Sequence, residues 1–401
     1  MRSIKNDTSF TRRTILLGMV GTAAVQLTGC GGGSDVAGLS SGGTGSFTSG
    51  TISGLGSIIF NGIRYNDDTA TLLSRDDDTS FGDTLKVGMV VSIQGSSVKA
   101  ATTTNGTATA TAYRISCGSE WQGPVSNITT TSFDMLGLTV DVLASTVFDG
   151  AATQLTDLTT AHFVEVHGYV DQTTGHLQAT RVEVSTTQPT QYKLSGVVNS
   201  FSAVNHTFKL GTTNQSSSVI SWDNNTVGVP SDWNDGVFVR VKMTPLLLAT
   251  QIRLLRSPLA QLNAEDEHEA EIHGFISAFA SNASFTVNGI PVDASTARIA
   301  GGTLALGVRV EIHGSVSNGT LIATKVETPN NTDVASHEFE FHGTISALDA
   351  TAHTFVLRGL TFTYDSNTSM QGVSLANGVR VEIKATRAAG VWKATEISTD
   401  D

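Results

Sequence analysis

The sequence contains little positive charge and few aromatic side chains. Its 401 residues include 24 Lys and Arg against 36 Asp and Glu, a formal net charge of -12, and aromatic residues make up 6%. Proteins bind nucleic acid largely by neutralising phosphates with Lys and Arg and by stacking bases on aromatic rings. We therefore expect no DNA or RNA partner.

The sequence also lacks the short motifs of common catalytic and cofactor chemistry. It contains no G-x-x-x-x-G-K-[ST] phosphate loop, no H-E-x-x-H zinc motif and no C-x-x-C pair. No nucleophile and base recur together from one part of the chain to the next. We therefore expect a protein that is not an enzyme and needs no cofactor, with an envelope hydrolase as the least favoured alternative.

Cysteine is scarce, with two copies, Cys30 and Cys117. Cys30 follows the basic segment "MRSIKNDTSFTRR" and the apolar segment "TILLGMVGTAAVQ". An apolar stretch of about a dozen residues is too short to span a bilayer and is typical of a secretory signal peptide. If Cys30 is modified, Cys117 has no partner for an internal disulfide; a Cys30–Cys117 disulfide is the alternative.

The segment "LTGC", Leu27 to Cys30, resembles the lipobox of bacterial lipoproteins. The resemblance implies cleavage after residue 29 and lipid attachment to Cys30, where each buried CH₂ group contributes about 0.8 kcal/mol to anchoring. It also implies, from Gly31 in place of Asp, the outer membrane or cell surface rather than the inner membrane. Arg12 and Arg13 resemble a twin-arginine export signal, and a plain basic segment of the general export route is the alternative.

Four sequence segments recur in the same order five times, and we name the copies repeat 1 to repeat 5. The first segment begins at Gly50, Gly123, Gly196, Gly274 and Gly343. The third segment reads "LKVGMVVSIQG", "LTTAHFVEVHG", "WNDGVFVRVKM", "LALGVRVEIHG" and "LANGVRVEIKA". Self-similarity of this kind indicates repeated structural units.

The residue pattern of the repeated segments predicts strands. In "GVRVEIHG", which ends at Gly314, apolar and polar residues alternate, so one face lies in a core and the other in water. The last segment alternates too, which places Ala323 and Val326 on opposite faces, and the closing Gly314 lets the preceding strand bend sharply. Because closure removes exposed edges, we predict an all-β chain of five tandem small barrels, closed or nearly closed, each of about five strands.

Polar joints at residues 257–270 and 329–338 favour separate units arranged like beads on a string. The shorter joints between the first three repeats favour rigid packing there. The predicted division is a signal peptide at 1–29, a flexible Gly/Ser tether at 30–48, and units at 49–120, 121–190, 191–260, 269–330 and 338–401.

The repeated pattern is G-x-[IV]-S, F-x-x-x-G, L-x-x-G-x-x-V-x-[VI]-x-G and A-T-x-[VI], and it extends from Gly50 to Thr399. It resembles the bacterial family catalogued as domain of unknown function 5666. Repeat 3 departs most, because it lacks the closing glycine after Val241. The resemblance implies small OB-like barrels in exported or lipid-anchored proteins, and it implies no activity.

Two groups of side chains are candidate ligands for a metal ion or another partner. A Glu and a His two residues apart on a strand share one face, so each E-x-H-G motif offers two metal ligands. The acidic run from Asn66 resembles a calcium-binding cluster in composition but lacks the EF-hand spacing. Solvated surface residues are the alternative for both groups. The candidates are Glu165, His167, Glu271, His273, Glu311, His313, Glu340, His342, Asp67, Asp68, Asp76, Asp77 and Asp78.

Taken together, these features predict a lipid-anchored protein of the cell envelope that acts as a non-enzymatic multivalent binding scaffold or spacer. Weak sites repeated along one chain gain strength through effective concentration. Its expected partners are the membrane, through the lipid, and an envelope protein or glycan. The alternative is a periplasmic or surface receptor for one glycan or metal ion, bound through loops that differ between the repeats.

Overall fold

The computed structural model describes residues 46–60, 63–75, 82, 84–101, 107–231, 233–255, 257–264, 266, 269–328 and 339–400. Cys30, Arg12, Arg13 and Asp76–Asp78 lie outside these residues. Strands account for most of the described chain, and its helices are short, so the predicted all-β class is confirmed. No helix in the described ranges is both long and apolar enough to cross a membrane.

Repeat 1 forms a closed five-strand barrel. Its elements are β1 (Ser46–Thr51), β2 (Gly54–Leu55), β3 (Ile58–Phe60), β4 (Ile63–Asn66), β5 (Thr71–Ser74), β6 (Val90–Gly95) and β7 (Ala108–Cys117). β1 and β2 together make the bent first strand, and β4 and β5 the third. The first strand pairs with β3 and β6, β3 pairs with β4, and β7 closes the ring against β6 and, in parallel, against β4 and β5. This Greek-key order is that of an OB-like barrel.

Repeats 2 and 3 repeat this strand order. In repeat 3 the third strand is short, and parallel bridges from Ser221 to Leu248 and from Val227 to Gln251 close the ring. Repeat 2 contains β8 (Trp121–Pro124), β9 (Ser132–Met135), β10 (Leu138–Gly150), a 3-10 helix (Leu155–Asp157), β11 (Phe163–Val170) and β12 (Leu177–Ser185). Repeat 3 contains β13 (Tyr192–Ser202), β14 (Thr207–Leu210), β15 (Ile220–Ser221), β16 (Phe238–Met243) and β17 (Ala249–Leu254).

Repeats 4 and 5 follow the same order after the helix α1 (Pro258–Leu262). Their first strand pairs antiparallel with the fourth, and their third runs parallel to the fifth. Repeat 4 contains β18 (Glu269–Ser281), β19 (Ser284–Val287), β20 (Ile290–Asp293), β21 (Arg298–Ala300), β22 (Arg309–Ser317) and β23 (Thr320–Glu327). Repeat 5 contains β24 (Phe339–Thr344), β25 (Ser346–Asp349), β26 (Thr354–Leu357), β27 (Leu360–Thr363), β28 (Ser369–Gln371), β29 (Arg380–Ala388) and β30 (Val391–Thr399).

The alternation predicted for β22 is confirmed, because Val310 and Ile312 are buried in the core of repeat 4. The alternation predicted for β23 is wrong: Ala323 and Val326 are both buried. A β-bulge shifts the register of the two strands at Gly314 and therefore moves part of β23 to the other face. A Cβ atom at Gly314 would lie 2.1 Å from the carbonyl oxygen of Ile322, so glycine permits this close approach.

The prediction of separate beads is wrong, because repeat 1 joins repeats 4 and 5 through their sheets. β1 pairs in parallel with β18, and β2 pairs in parallel with β24. The joint between repeats 3 and 4 is itself packed: Leu259 and Leu262 of α1 are buried in the core of repeat 4 together with Phe47 of β1. Sequence-distant contacts of this kind leave no trace in local periodicity.

β1 also begins before the predicted boundary at residue 49. Its residues Ser46 to Thr48, which the prediction assigned to the tether, pair with both β6 and β18. The described strands belong to one compact unit. The number of independent units and their boundaries stay a prediction.

Candidate functional site

The most concentrated group of candidate ligands lies on the outer face of repeat 4, and we call it the Glu–His quartet. β18 and β22 pair antiparallel, so Glu271 lies opposite His313 and His273 lies opposite Glu311. Alternate residues of a strand share one face, so all four side chains lie on the same side of the sheet. Ile272 between them points into the barrel core. The strand register therefore unites two E-x-H-G motifs that are far apart in the sequence.

The four side chains of the quartet form a short chain of contacts. His273 Nε2 lies 2.9 Å from Glu271 Oε1 and 3.9 Å from Glu311 Oε1. His313 Nε2 lies 2.9 Å from Glu311 Oε1. One ligand atom each of Glu271, Glu311 and His313 lies within 4.8 Å of the others. The group is compact enough for these atoms to contact one cation.

The quartet is partly shielded from water. Glu271 is 8% exposed, and the side chains of His273, Glu311 and His313 are 17%, 30% and 25% exposed. Burial lowers the pKa of His313, but the hydrogen bond to Glu311 and the carboxylates of Glu271 and Glu311 outweigh it, so that pKa is raised. The site therefore favours a positive charge between its carboxylates.

Repeat 1 covers one side of the quartet. Thr48 on β1 is in parallel register with Glu271 and therefore lies on the same face of the sheet. Its hydroxyl is buried and has no hydrogen-bond partner within the described residues. Tyr65, in the core of repeat 1, has a raised pKa. Burial is the main cause, and the nearby carboxylate of Glu271 is a weaker one. An unsatisfied buried hydroxyl beside a carboxylate is uncommon in proteins.

Repeat 5 carries a related group of three residues, Glu340, His342 and Glu382, whose ligand atoms also lie within 4.8 Å of one another. His342 Nε2 lies 2.7 Å from Glu340 Oε1, and its Nδ1 lies 2.8 Å from Asp400 Oδ1. Lys384 lies opposite Glu340, where repeat 4 has His313 opposite Glu271. This group therefore has one histidine and a competing cation.

Asp400 ties the repeat 5 group to repeat 1. Its buried carboxylate lies 2.5 Å from Arg380 Nε and 3.4 Å from Arg64 Nη1 of β4. Burial raises the pKa of Asp400, but His342, Arg380 and Arg64 outweigh it, so that pKa is lowered. The E-x-H-G motif contains neither Glu382 nor Asp400, so neither residue is among the predicted ligands. Glu382 had a sequence signal, since it matches Glu311 in the aligned third segments, whereas Asp400 had none.

Repeat 2 does not bring Glu165 and His167 into a comparable group among the described residues. His167 is 1% exposed, and burial, with Lys193 as the next cause, lowers its pKa to about 3. Glu165 Oε1 lies 3.9 Å from Lys193 Nζ. A buried neutral imidazole beside cationic side chains does not favour a further cation.

Across the strand pair from His167, Glu120 forms a buried ion-pair cluster instead. Its carboxylate accepts hydrogen bonds from Arg240 at 2.8 Å and Ser195 at 2.7 Å, and it also pairs with Arg75. Burial raises the pKa of Glu120, but Arg240 and Arg75 outweigh it and lower that pKa to about 2. This carboxylate therefore joins repeats 1, 2 and 3 as a structural element.

The aspartates Asp67 and Asp68 lie in the loop between β4 and β5. The Asp68 backbone N–H donates to Asn66 Oδ1 at 3.0 Å, so the loop is an Asx turn. Burial is the main cause of a raised pKa at Asp67. Neither aspartate belongs to a metal-ligand group among the described residues.

A cleft of about 450 Å³ opens beside repeat 2. It is lined by both polar and apolar side chains, among them Lys86, Gln122, Phe163, Val184 and Gln188. Its size falls in the range of small-ligand sites. No tryptophan lines it; Trp121, Trp233 and Trp392 are buried.

These observations define an all-β protein of small closed barrels. The outer face formed by the first and fourth strands carries different polar side chains in different repeats. The model of the family described as domain of unknown function (DUF5666) matches residues 122–183, 273–327 and 342–398. The chain therefore contains repeated DUF5666-like units, and the resemblance inferred from the repeated motifs is confirmed. A comparison with curated proteins found no match.

Proposed function

We propose that this protein is an exported, lipid-anchored protein of the cell envelope that acts as a non-enzymatic multivalent binding scaffold or spacer. One observation carries the proposal: a single barrel type recurs while the side chains on its outer face change. Repeats 1, 3, 4 and 5 present, at equivalent positions of the fourth strand, the partly exposed side chains of Gln94, Lys242, His313 and Lys384. A recurring barrel whose surface groups change can contact one partner at several places along its length.

The anchor in this proposal is lipid on Cys30, with the outer membrane or cell surface as its destination. Cys117 is buried, and burial raises the pKa of its thiol to about 12, so it is a poor site for modification. The two cysteines therefore provide a matched pair of variants. An envelope protein or a glycan is the proposed partner of the repeats.

The anchor is tested by fractionating cells that express the wild type, Cys30→Ser or Cys117→Ser, after metabolic labelling with an alkyne fatty acid. We expect lipid label and membrane association in the wild type and Cys117→Ser, and loss of both in Cys30→Ser. Membrane association of Cys30→Ser at the wild-type level would contradict lipid anchoring.

The scaffold is tested by cross-linking the intact protein in cells and identifying the captured molecules by mass spectrometry. We expect one envelope protein or glycan fragment to be linked at several repeats. Capture at a single repeat would contradict multivalency and favour the alternative function, a receptor for one glycan or metal ion.

The cleft beside repeat 2 favours that glycan alternative, because its lining combines hydrogen-bonding side chains with the aromatic ring of Phe163 and its volume fits a small sugar. A panel of oligosaccharides in a thermal-shift assay separates the two functions. A rise in melting temperature with one sugar, abolished by Gln122→Ala in the cleft, would support the receptor.

A further inference from the structure

We propose that the Glu–His quartet of repeat 4 is a binding site for a zinc-like divalent cation, with Glu271, His273, Glu311 and His313 as ligands. The proposal goes beyond the scaffold function and does not depend on the lipid anchor. It rests on the spacing of the ligand atoms, the support of the side chains and the nature of the donors.

The spacing of the donor atoms matches a tetrahedral site. Zinc binds nitrogen and oxygen at about 2.1 Å, so the ligand atoms of a regular tetrahedron lie about 3.4 Å apart. The consecutive contacts in the quartet, from Glu271 through His273 and Glu311 to His313, measure 2.9, 3.9 and 2.9 Å. These three values bracket the tetrahedral edge, and the ligand atoms of Glu271, Glu311 and His313 already lie within 4.8 Å of one another. His273, which contacts both glutamates, completes the set of four when its side chain rotates toward the ion.

The strands hold the backbone of the quartet in place. Four ligands come from two paired strands, and the alternating residues Ile272, Val310 and Ile312 are locked in the barrel core. Asn288 adds a brace, since its side-chain amide donates to the carbonyl oxygen of His273 at 3.0 Å. Ligands on packed strands lose little conformational freedom when they bind an ion.

Thr48 supplies a second, independent indication of a ligand. Its hydroxyl is buried on the face that carries Glu271 and has no hydrogen-bond partner in the described structure. Metal-binding carboxylates commonly accept hydrogen bonds from neighbouring groups. Thr48 is placed to donate such a bond to Glu271 once a cation has drawn the carboxylate away from His273.

The donor set selects the class of cation. Calcium and magnesium prefer sites made of oxygen alone, whereas two imidazoles with two carboxylates suit zinc and its first-row neighbours. The equivalent places in other repeats lack this set: repeat 3 has Lys193 and Arg240, and repeat 5 has Lys384. Among the described residues, the full set of two imidazoles and two carboxylates is therefore confined to repeat 4.

The test uses the full-length protein, purified in detergent and stripped with a chelator. Zinc affinity is measured by competition with a coloured chelator, and cobalt replaces zinc to report coordination through its visible absorption. We expect one zinc ion per chain at micromolar affinity or tighter, and a four-coordinate cobalt spectrum. Absence of zinc binding at this level overturns the proposal.

Variants assign the site. We expect His273→Ala with His313→Ala to weaken zinc binding at least about 100-fold, and Glu311→Gln, which preserves side-chain volume, to weaken it at least about tenfold. His353→Ala removes an exposed histidine of repeat 5 as the matched control and leaves the affinity unchanged. Circular dichroism confirms that each variant is folded.

A further variant distinguishes the two Glu–His groups. Glu382→Gln removes one ligand of the repeat 5 group and leaves the quartet intact. We expect wild-type zinc affinity in Glu382→Gln. Loss of zinc binding in Glu382→Gln, together with its retention in the double histidine variant, would place the site in repeat 5 and overturn the proposal.

Discussion

Repeats 2 and 4 carry nearly the same residues at four equivalent positions, yet these residues have different surroundings. Repeat 2 has Glu120, Gln122, Glu165 and His167, and repeat 4 has Glu271, His273, Glu311 and His313. In repeat 2 Glu120 forms ion pairs with Arg75 and Arg240, and His167 is buried. In repeat 4 the glutamates contact histidines on a face that is only partly shielded from water.

The difference shows that neighbouring repeats decide what the strand pair does. Arg240 comes from repeat 3 and Arg75 from repeat 1, and together they supply the positive charge that Glu120 requires in a buried place. Repeat 4 meets β1 of repeat 1 instead, which contributes Thr48 beside Glu271. The same type of carboxylate thus serves as a structural ion pair in one repeat and as a candidate ligand in another.

The largest expected difference between repeats 2 and 4 is the stability that each loses when the carboxylate of its first-strand glutamate is neutralised. Glu120→Gln removes the buried carboxylate charge that pairs with Arg75 and Arg240, so we expect a loss of about 3–5 kcal/mol in the free energy of unfolding. The matched variant Glu271→Gln, measured without metal, keeps a side-chain oxygen that can contact His273, so we expect a smaller loss of about 1 kcal/mol. Urea unfolding at pH 7, followed by tryptophan fluorescence, measures both.

Equal losses in Glu120→Gln and Glu271→Gln would contradict the contrast between a structural ion pair and a ligand site. A second variant, Arg240→Gln, checks the cause, because it also breaks the buried pair and should destabilise the protein.

A smaller effect is expected from the buried histidine of repeat 2. The pKa of His167 falls from about 6.5 in the unfolded chain to about 3 in the folded protein, because of burial and then Lys193. Glu183 opposes this shift, and Arg181 and Arg75 add to it. Below pH 6.5 the unfolded chain therefore binds a proton that the native protein does not, and stability decreases as the pH is lowered from 6.5 toward 3.

The variant His167→Gln removes this contribution. Between pH 8 and pH 5 we expect the wild type to lose about 2 kcal/mol more unfolding free energy than the variant does. His353→Gln, at an exposed site, serves as the control and should follow the wild type. Parallel pH profiles for the wild type and His167→Gln would show that His167 is not buried in its neutral form.

The smallest predicted effect concerns the charge around the quartet. Lys325 on β23 lies opposite His313, and its charge lowers the pKa of that imidazole. Lys325→Gln removes a repulsive charge near the bound cation, so we expect a zinc affinity about two- to fivefold higher. Lys209→Gln in repeat 3 provides the control, and an unchanged affinity in Lys325→Gln would place that charge outside the influence of the site.

The sequence predicted the barrels because each strand has its own local pattern of alternating apolar and polar residues. Alternation in the third segment predicted the burial of Val310 and Ile312, and the closing glycine, Gly314, lies where the strand register shifts. Alternation failed in β23, since a bulge inserts one residue and changes the face without changing the composition. The E-x-H-G motif predicted ligand pairs on single strands and could not indicate which pairs share a face of the sheet.

The sequence by itself determined the repeated all-β barrels and the side chains that each outer face offers, because strand periodicity and glycine placement act over a few residues. Only the tertiary structure decided which carboxylates became structural and which remained available. Arg75 and Arg240 reach Glu120 from other repeats, whereas Glu271 and Glu311 meet two histidines across one strand pair. These contacts depend on how barrels distant in sequence pack together, and local pattern carries no information about that packing.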